Sequence, residues 1–174
     1  MLDVSVSYNR YKFLGHEFLS WLWFVIENDP SQIAATAPEA LSLEIGNRIV
    51  LENETGGALE TITIKGDEAG MEEGVLALRK GAVVTELNLG MKFGEQEWRF
   101  TLIGESLCFS GLKTPEMRLL ETKEDLEGAL IEKTALCQHA VDTLRHLYAH
   151  FVKLRISDAW ERHVVPAIRK WLKS

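Results

Sequence analysis

Apolar and polar positions alternate along this chain at more than one period, and each period predicts a different element. Leu14, Phe18, Trp21, Leu22, Val25 and Ile26 recur at three- and four-residue steps, which predicts an aromatic-rich helix over Phe13 to Glu27, stopped by Asn28-Asp29-Pro30. Ser31 to Ala40, with Pro38, is expected as a loop. Leu41, Leu43 and Ile45, then Ile49 to Leu51, predict a hairpin turning at Gly46-Asn47, and Thr61 to Lys65 a further strand after Gly56-Gly57. Asp67 to Lys80 is expected as a short helix. Its acidic residues (Asp67, Glu68, Glu72, Glu73) come early and Arg79-Lys80 late, which suits the helix dipole, and Gly81 follows its end.

Val83, Thr85, Leu87 and Leu89 then alternate at period 2, setting one face of a strand, and Trp98, Phe100 and Leu102 repeat the pattern after a turn at Gly94-Glu95. Phe109 to Leu112 predicts one more strand, and Pro115 opens a linker. A long helix is expected from Lys123 to Leu154. Along it Leu126, Leu130, Lys133, Cys137, Ala140, Leu144, Leu147, Phe151 and Leu154 form a seam in steps of four and three. Cys, Ala and Lys make a poor coiled-coil core, so packing on the chain's own sheet is preferred to a dimer seam. A second helix, Ser157 to Leu172, is expected to start with Ser157 as N-cap, to kink at Pro166, and to be anchored by Trp160 and Trp171. The fold class is therefore α+β. An antiparallel sheet in a strand-strand-helix-strand-strand layout packs with the N-terminal helix and a long C-terminal helix pair. Residues 1–174 are expected as one domain, mixed helix and strand over 1–114 and helical over 115–174.

Composition agrees with a folded protein, 46% hydrophobic and 26% charged. No basic leader with an apolar core is seen at the start, and the apolar stretch Phe18 to Ile26 is too short to span a bilayer, so a cytoplasmic protein without a membrane role is expected. Cys108 and Cys137 have no metal-site spacing and read as buried free thiols in a reducing compartment. The net charge of −7 conceals a polarity that bears on partners. From Arg145 onward, Arg145, Lys153, Arg155, Arg162, Arg169, Lys170 and Lys173 face only Asp158 and Glu161, a segment of +5, so the preceding residues carry −12. A basic surface on an acidic body suits phosphate binding without base reading; the alternative is basic side chains that merely favour helix C-termini and solvated faces.

Catalytic chemistry has little support in the residue pattern. A metal-dependent nuclease needs convergent carboxylates, and Glu116 with Glu121-Thr122-Lys123 imitates a Glu-x-Lys element only loosely, in a stretch that reads as a helix start. Asp142, His146 and His150 recur every four residues and His139 lies seven before His146; at most a pair of these could chelate one ion, and a polar helix face explains them. No nucleophile elbow, phosphate-binding glycine loop or dinucleotide fingerprint occurs, so no catalytic residue, metal or cofactor is expected.

The run Gly81-Ala82-Val83-Val84-Thr85-Glu86-Leu87, the strand Trp98 to Leu102 and the strand Phe109 to Leu112 leading to Lys113 resemble the C-terminal half of the recombination-associated protein RdgC family. Phe13-Leu14-Gly15-His16-Glu17-Phe18-Leu19-Ser20-Trp21-Leu22-Trp23-Phe24 resembles a segment of the more divergent RdgC-like proteins. The resemblance covers roughly two-thirds of the chain in overall pattern, without a catalytic signature. It implies a sequence-nonspecific binder of double-stranded DNA, nucleoid-associated, that forms a ring-like dimer and restrains a recombinase; the family has also been described as an exonuclease. The expected phosphate contacts are Lys65, Arg79, Lys80, Arg145, Lys153, Arg155, Arg162, Arg169 and Lys170. One departure weighs against them: the turn Lys65-Gly66-Asp67-Glu68 is acidic where the family carries basic or polar residues. A protein-interaction or oligomerisation module without DNA binding is the alternative expectation, and a metal-dependent nuclease the third.

Overall fold

The computed structural model describes residues 13–36, 41–55, 58–66, 68–117 and 123–173. Helix α1 (Phe13–Asn28) and a single turn α2 (Ser31–Ala34) precede β1 (Leu41–Thr55) and β2 (Ala58–Lys65). Helix α3 (Glu68–Arg79) leads to β3 (Val83–Phe93), β4 (Gln96–Ile103) and β5 (Cys108–Lys113); α4 (Lys123–Arg155), a π-helical turn (Trp160–Val164) and α5 (Val165–Trp171) follow. The five strands form one antiparallel sheet in the order β2-β1-β3-β4-β5. The α+β class is thus present, and β5 adds a fifth strand to the strand-strand-helix-strand-strand layout.

Alternation divides the sheet into a buried and a solvated face. Ile49, Leu51, Val84, Leu87, Leu89, Met91, Trp98, Phe100 and Leu102 join Phe18, Leu19, Trp21, Leu22 and Trp23 of α1 in one core. On the other face Glu44 reaches Lys92 at 3.0 Å and Arg99 at 3.8 Å, while Arg48 pairs with Glu86. Gly90 lies directly across from Glu44, between it and Arg99, and a Cβ there would come within 2.7 Å of the Glu44 side chain. These exposed pairs order the polar face, and each contributes at most about 1 kcal/mol.

Several sequence expectations change. Gly46-Asn47 does not turn a hairpin: β1 runs through it as one strand, paired to β3 on both sides of a register shift between Ile45 and Ile49. A Cβ at Gly46 would lie 1.9 Å from Asn88 Oδ1, so a larger residue there requires the Asn88 amide to move. The β1–β2 hairpin instead closes after Thr55, opposite Ala58, and its Gly56-Gly57 turn lies outside the described residues. A second shift, between Val50 and Leu51, leaves Thr85 as the extra residue of β3. Val84, not Val83 or Thr85, therefore shares the buried face with Leu87, and Val83 is exposed. Within the stretch expected as a loop, residues 31–34 form α2, and 37–40 lie outside the described residues. Cys108 is exposed rather than buried because it stands at the start of the edge strand, and Cys137 is half-buried; both are free thiols.

Helix α4 is 33 residues long, about 50 Å at 1.5 Å per residue. Its C-terminal half packs on the body, with Ala140, Leu144, Leu147 and Phe151 buried. Phe151 is a hub, its ring 5.4 Å from Phe18, 5.5 Å from Trp21 and 5.6 Å from Trp160. At the middle of the helix the Trp98 indole N–H donates to the Leu136 carbonyl (3.0 Å), and His139 packs 4.5 Å from Phe93 and 5.3 Å from Trp98. Toward its N-terminus the seam leaves the sheet: Leu126, Leu130 and Ile131 are 49%, 60% and 72% exposed. Intrachain packing thus describes only the second half of the seam.

Candidate functional site

After Arg155 the chain reverses through Ile156 and Ser157. The helical stretch resumes at Asp158, directly after Ser157 as expected, and the Ser157 hydroxyl donates back to the Leu154 carbonyl (2.7 Å) at the end of α4. Next comes the π-helical turn, where the Val165 N–H bonds to the Trp160 carbonyl five residues earlier. Pro166, which has no N–H to donate, sits in the first turn of α5 and fits this widened stretch. Trp160 is buried against Phe151, and Trp171 stands 5.5 Å from Trp23 and 5.7 Å from Phe24, so both tryptophans anchor the segment as expected.

This return passage forms one wall of a cleft of about 490 Å3, whose other walls come from α1 and the start of β3. Phe13, Val83, Val165 and Ile168 give it apolar lining, Trp21 and Trp160 aromatic lining, and Glu17, Arg155, Glu161 and Arg169 charge. Arg155 Nε donates to Glu17 Oε2 at 2.7 Å, and its guanidinium lies 5.2 Å from the Trp160 ring centroid. The Glu17 hydrogen bond, with the fields of Glu17 and Glu161, raises the Arg155 pKa above its ordinary value. Glu17 therefore neutralises Arg155, and Glu161 faces it. Trp21 is fully buried, and its indole Nε1–H has no hydrogen-bond acceptor among the described residues.

The expected phosphate contacts distribute unevenly. Arg155 and Arg169 meet in the cleft. Arg79 and Lys80, both exposed, close α3 three residues or so before Val83 of the cleft wall. Lys65 lies at the other end of α3, paired in register with Arg48, and is not brought to this group. On α4, Arg145 contacts Asp142 (3.5 Å) and Lys153 is exposed two turns further on. Arg162 contacts Asp158 (3.6 Å). Among the described residues no carboxylate pairs with Lys153, Arg169, Lys170 or Lys173, all exposed.

The cleft is what sequence reasoning missed. Glu17 and Arg155 are 138 residues apart, and no local spacing announces such a pair. Val83 carried a readable signal, an apolar residue next to the buried-face Val84, but the bulge at Thr85 hid which of the two points inward. No group of three His, Cys, Asp or Glu able to hold a metal occurs among the described residues; Glu116 is exposed and Glu121-Thr122 lie outside them. No helix among the described residues is long and apolar enough to cross a membrane. Comparison with protein-family models, with curated proteins and with solved structures returns no match.

Proposed function

We propose that this chain binds double-stranded DNA without sequence preference through the cations of its last two helices, as an RdgC-like protein associated with the regulation of recombination in the cytoplasm. The observation that carries this reading is the separation of charges in the segment after Arg145. Its acidic residues are engaged locally, Asp158 with Arg162 and Glu161 beside Arg155, while Lys153, Arg169, Lys170 and Lys173 are exposed without a carboxylate partner among the described residues. Exposed, uncompensated cations on an otherwise acidic chain are what counterion release from a duplex requires. The resemblance of the Phe13 to Phe24 and Gly81 to Lys113 segments to RdgC-like proteins points the same way. A protein covering duplex DNA limits a recombinase's access to it, which is the role that resemblance implies. The test is fluorescence anisotropy with a random-sequence duplex. Lys153→Glu with Arg169→Glu is expected to weaken binding at least tenfold at low salt, and unchanged affinity refutes the assignment.

A second reading rests on a separate observation, the exposed Leu126, Leu130 and Ile131 of α4. Such a stripe at helical spacing suits self-association, alone or together with DNA binding. A mass that stays monomeric on light scattering across concentration removes it.

A further inference from the structure

We infer that the cleft between α1, the start of β3 and the π-helical turn is a binding site for a small molecule with an apolar body and a single carboxylate. Its volume of about 490 Å3 falls within the range of small-molecule pockets. Phe13, Val83 and Ile168 offer apolar contact, and the first two are exposed large hydrophobics that the fold leaves uncovered. Two groups in this lining have unused capacity. The Trp21 indole N–H is a buried donor that finds no acceptor among the described residues. Arg169 is the cation of the cleft that no carboxylate neutralises among the described residues, whereas Arg155 is held by Glu17 and faces Glu161. An apolar carboxylate sets its charge against Arg169 and its hydrocarbon against Phe13 and Ile168, beside the Trp21 ring that lines the cleft. A cation would instead be repelled by Arg169, with Glu17 already paired to Arg155 and Glu161 facing it. The same chemistry is found in alkyl and aryl acids, so the site inference covers both. Arg169 is common to this site and to the proposed DNA surface, but Lys153, Lys170 and Lys173 do not line the cleft, so the acid titration and the duplex assay fail separately.

The test follows the Trp21 indole proton by NMR in the full chain, assigned through Trp21→Phe, during titration with decanoate and, separately, 2-naphthoate. A saturable shift of that proton is expected with at least one acid, and which acid binds tighter distinguishes an alkyl from an aryl ligand. The methyl ester of the better acid is expected to bind about tenfold more weakly, and Arg169→Gln to abolish that difference. Arg169 is exposed, so this variant keeps the fold. No saturable shift with either acid at millimolar concentration, a shift equal for acid and ester, or an acid preference that survives Arg169→Gln overturns the inference.

Discussion

Gly15→Ala tests the packing of α1 on the sheet through the sign of its effect. In an unhindered helix, alanine in place of glycine stabilises by up to about 1 kcal/mol, because it restricts the unfolded backbone. At Gly15 the added Cβ would lie 1.8 Å from the Gly104 carbonyl oxygen and 2.7 Å from its carbon, both backbone atoms of the turn after β4. That turn cannot easily yield, since the Gly104 N–H is bonded to the Thr85 carbonyl at 2.8 Å, inside the bulge of β3. Separating the helix and the turn by more than 1 Å disturbs the contact of Leu19 and neighbouring core residues, an overpacking cost of about 1–3 kcal/mol or more, which exceeds the helix gain. Gly128→Ala is the control: it lies on the exposed part of α4, and nothing stands within 4 Å of its added Cβ. Urea unfolding followed by far-UV circular dichroism is expected to show Gly15→Ala destabilised by about 1–3 kcal/mol and Gly128→Ala stabilised by about 0.5–1 kcal/mol. A stabilised Gly15→Ala would refute the close approach of α1 to the β4–β5 turn.

Phe151→Ala removes the ring shared by Phe18, Trp21 and Trp160, and a loss of about 3–5 kcal/mol is expected in the same assay; under 1 kcal/mol would mean that α4 is not docked there. Trp98→Phe deletes the donor to the Leu136 carbonyl and is expected to cost about 1 kcal/mol, with faster amide exchange around residue 136 as the local readout. Asp29 accepts hydrogen bonds from the Ser31 hydroxyl and the Gln32 amide, which hold its carboxyl below the ordinary value of 3.8. A lowered folded pKa gives stability that is complete above the unfolded value and is lost as pH falls through the folded one; Asp29→Asn is expected to flatten that acid limb of the stability–pH curve, and an unchanged limb would contradict it. Leu130→Glu with Ile131→Glu places charge on the exposed stripe of α4 and is expected to leave thermal stability within about 0.5 kcal/mol while abolishing any self-association seen by light scattering.

Periodicity made legible the elements whose contacts are local. Trp98, Phe100 and Leu102 face the core as their alternation requires, the Gly94-Glu95 turn joins β3 to β4, and Gly81, at φ +97°, ends the stretch that begins as α3. The errors come from residues whose local meaning depends on a distant neighbour. Gly46-Asn47 carries the composition of a turn, yet Asn88 of the adjacent strand fills the space a side chain at Gly46 would need. Val83 and Val84 are equivalent in sequence, and only the bulge at Thr85, with Val50 opposite Glu86 and Leu51 opposite Val84, decides which is buried. The charge polarity of the last 30 residues was readable from composition, since counting needs no geometry. The cancellation of Arg155 by Glu17 was not, because it joins the start of α1 to the end of α4. The long seam read correctly where Ala140 to Phe151 meet the body, and its pattern alone could not tell that the sheet ends before Leu130 does.

The most direct test of nonspecific duplex binding by Lys153, Arg169, Lys170 and Lys173 is the salt dependence of the affinity of the intact chain for a random-sequence duplex. Four phosphate contacts predict a slope of log K against log salt of about −3.6, so that affinity falls roughly 150-fold between about 50 and 200 mM. A slope near −3.6, equal for unrelated sequences, is the result this account predicts. No binding at about 50 mM salt, or a slope shallower than about −1, would contradict it.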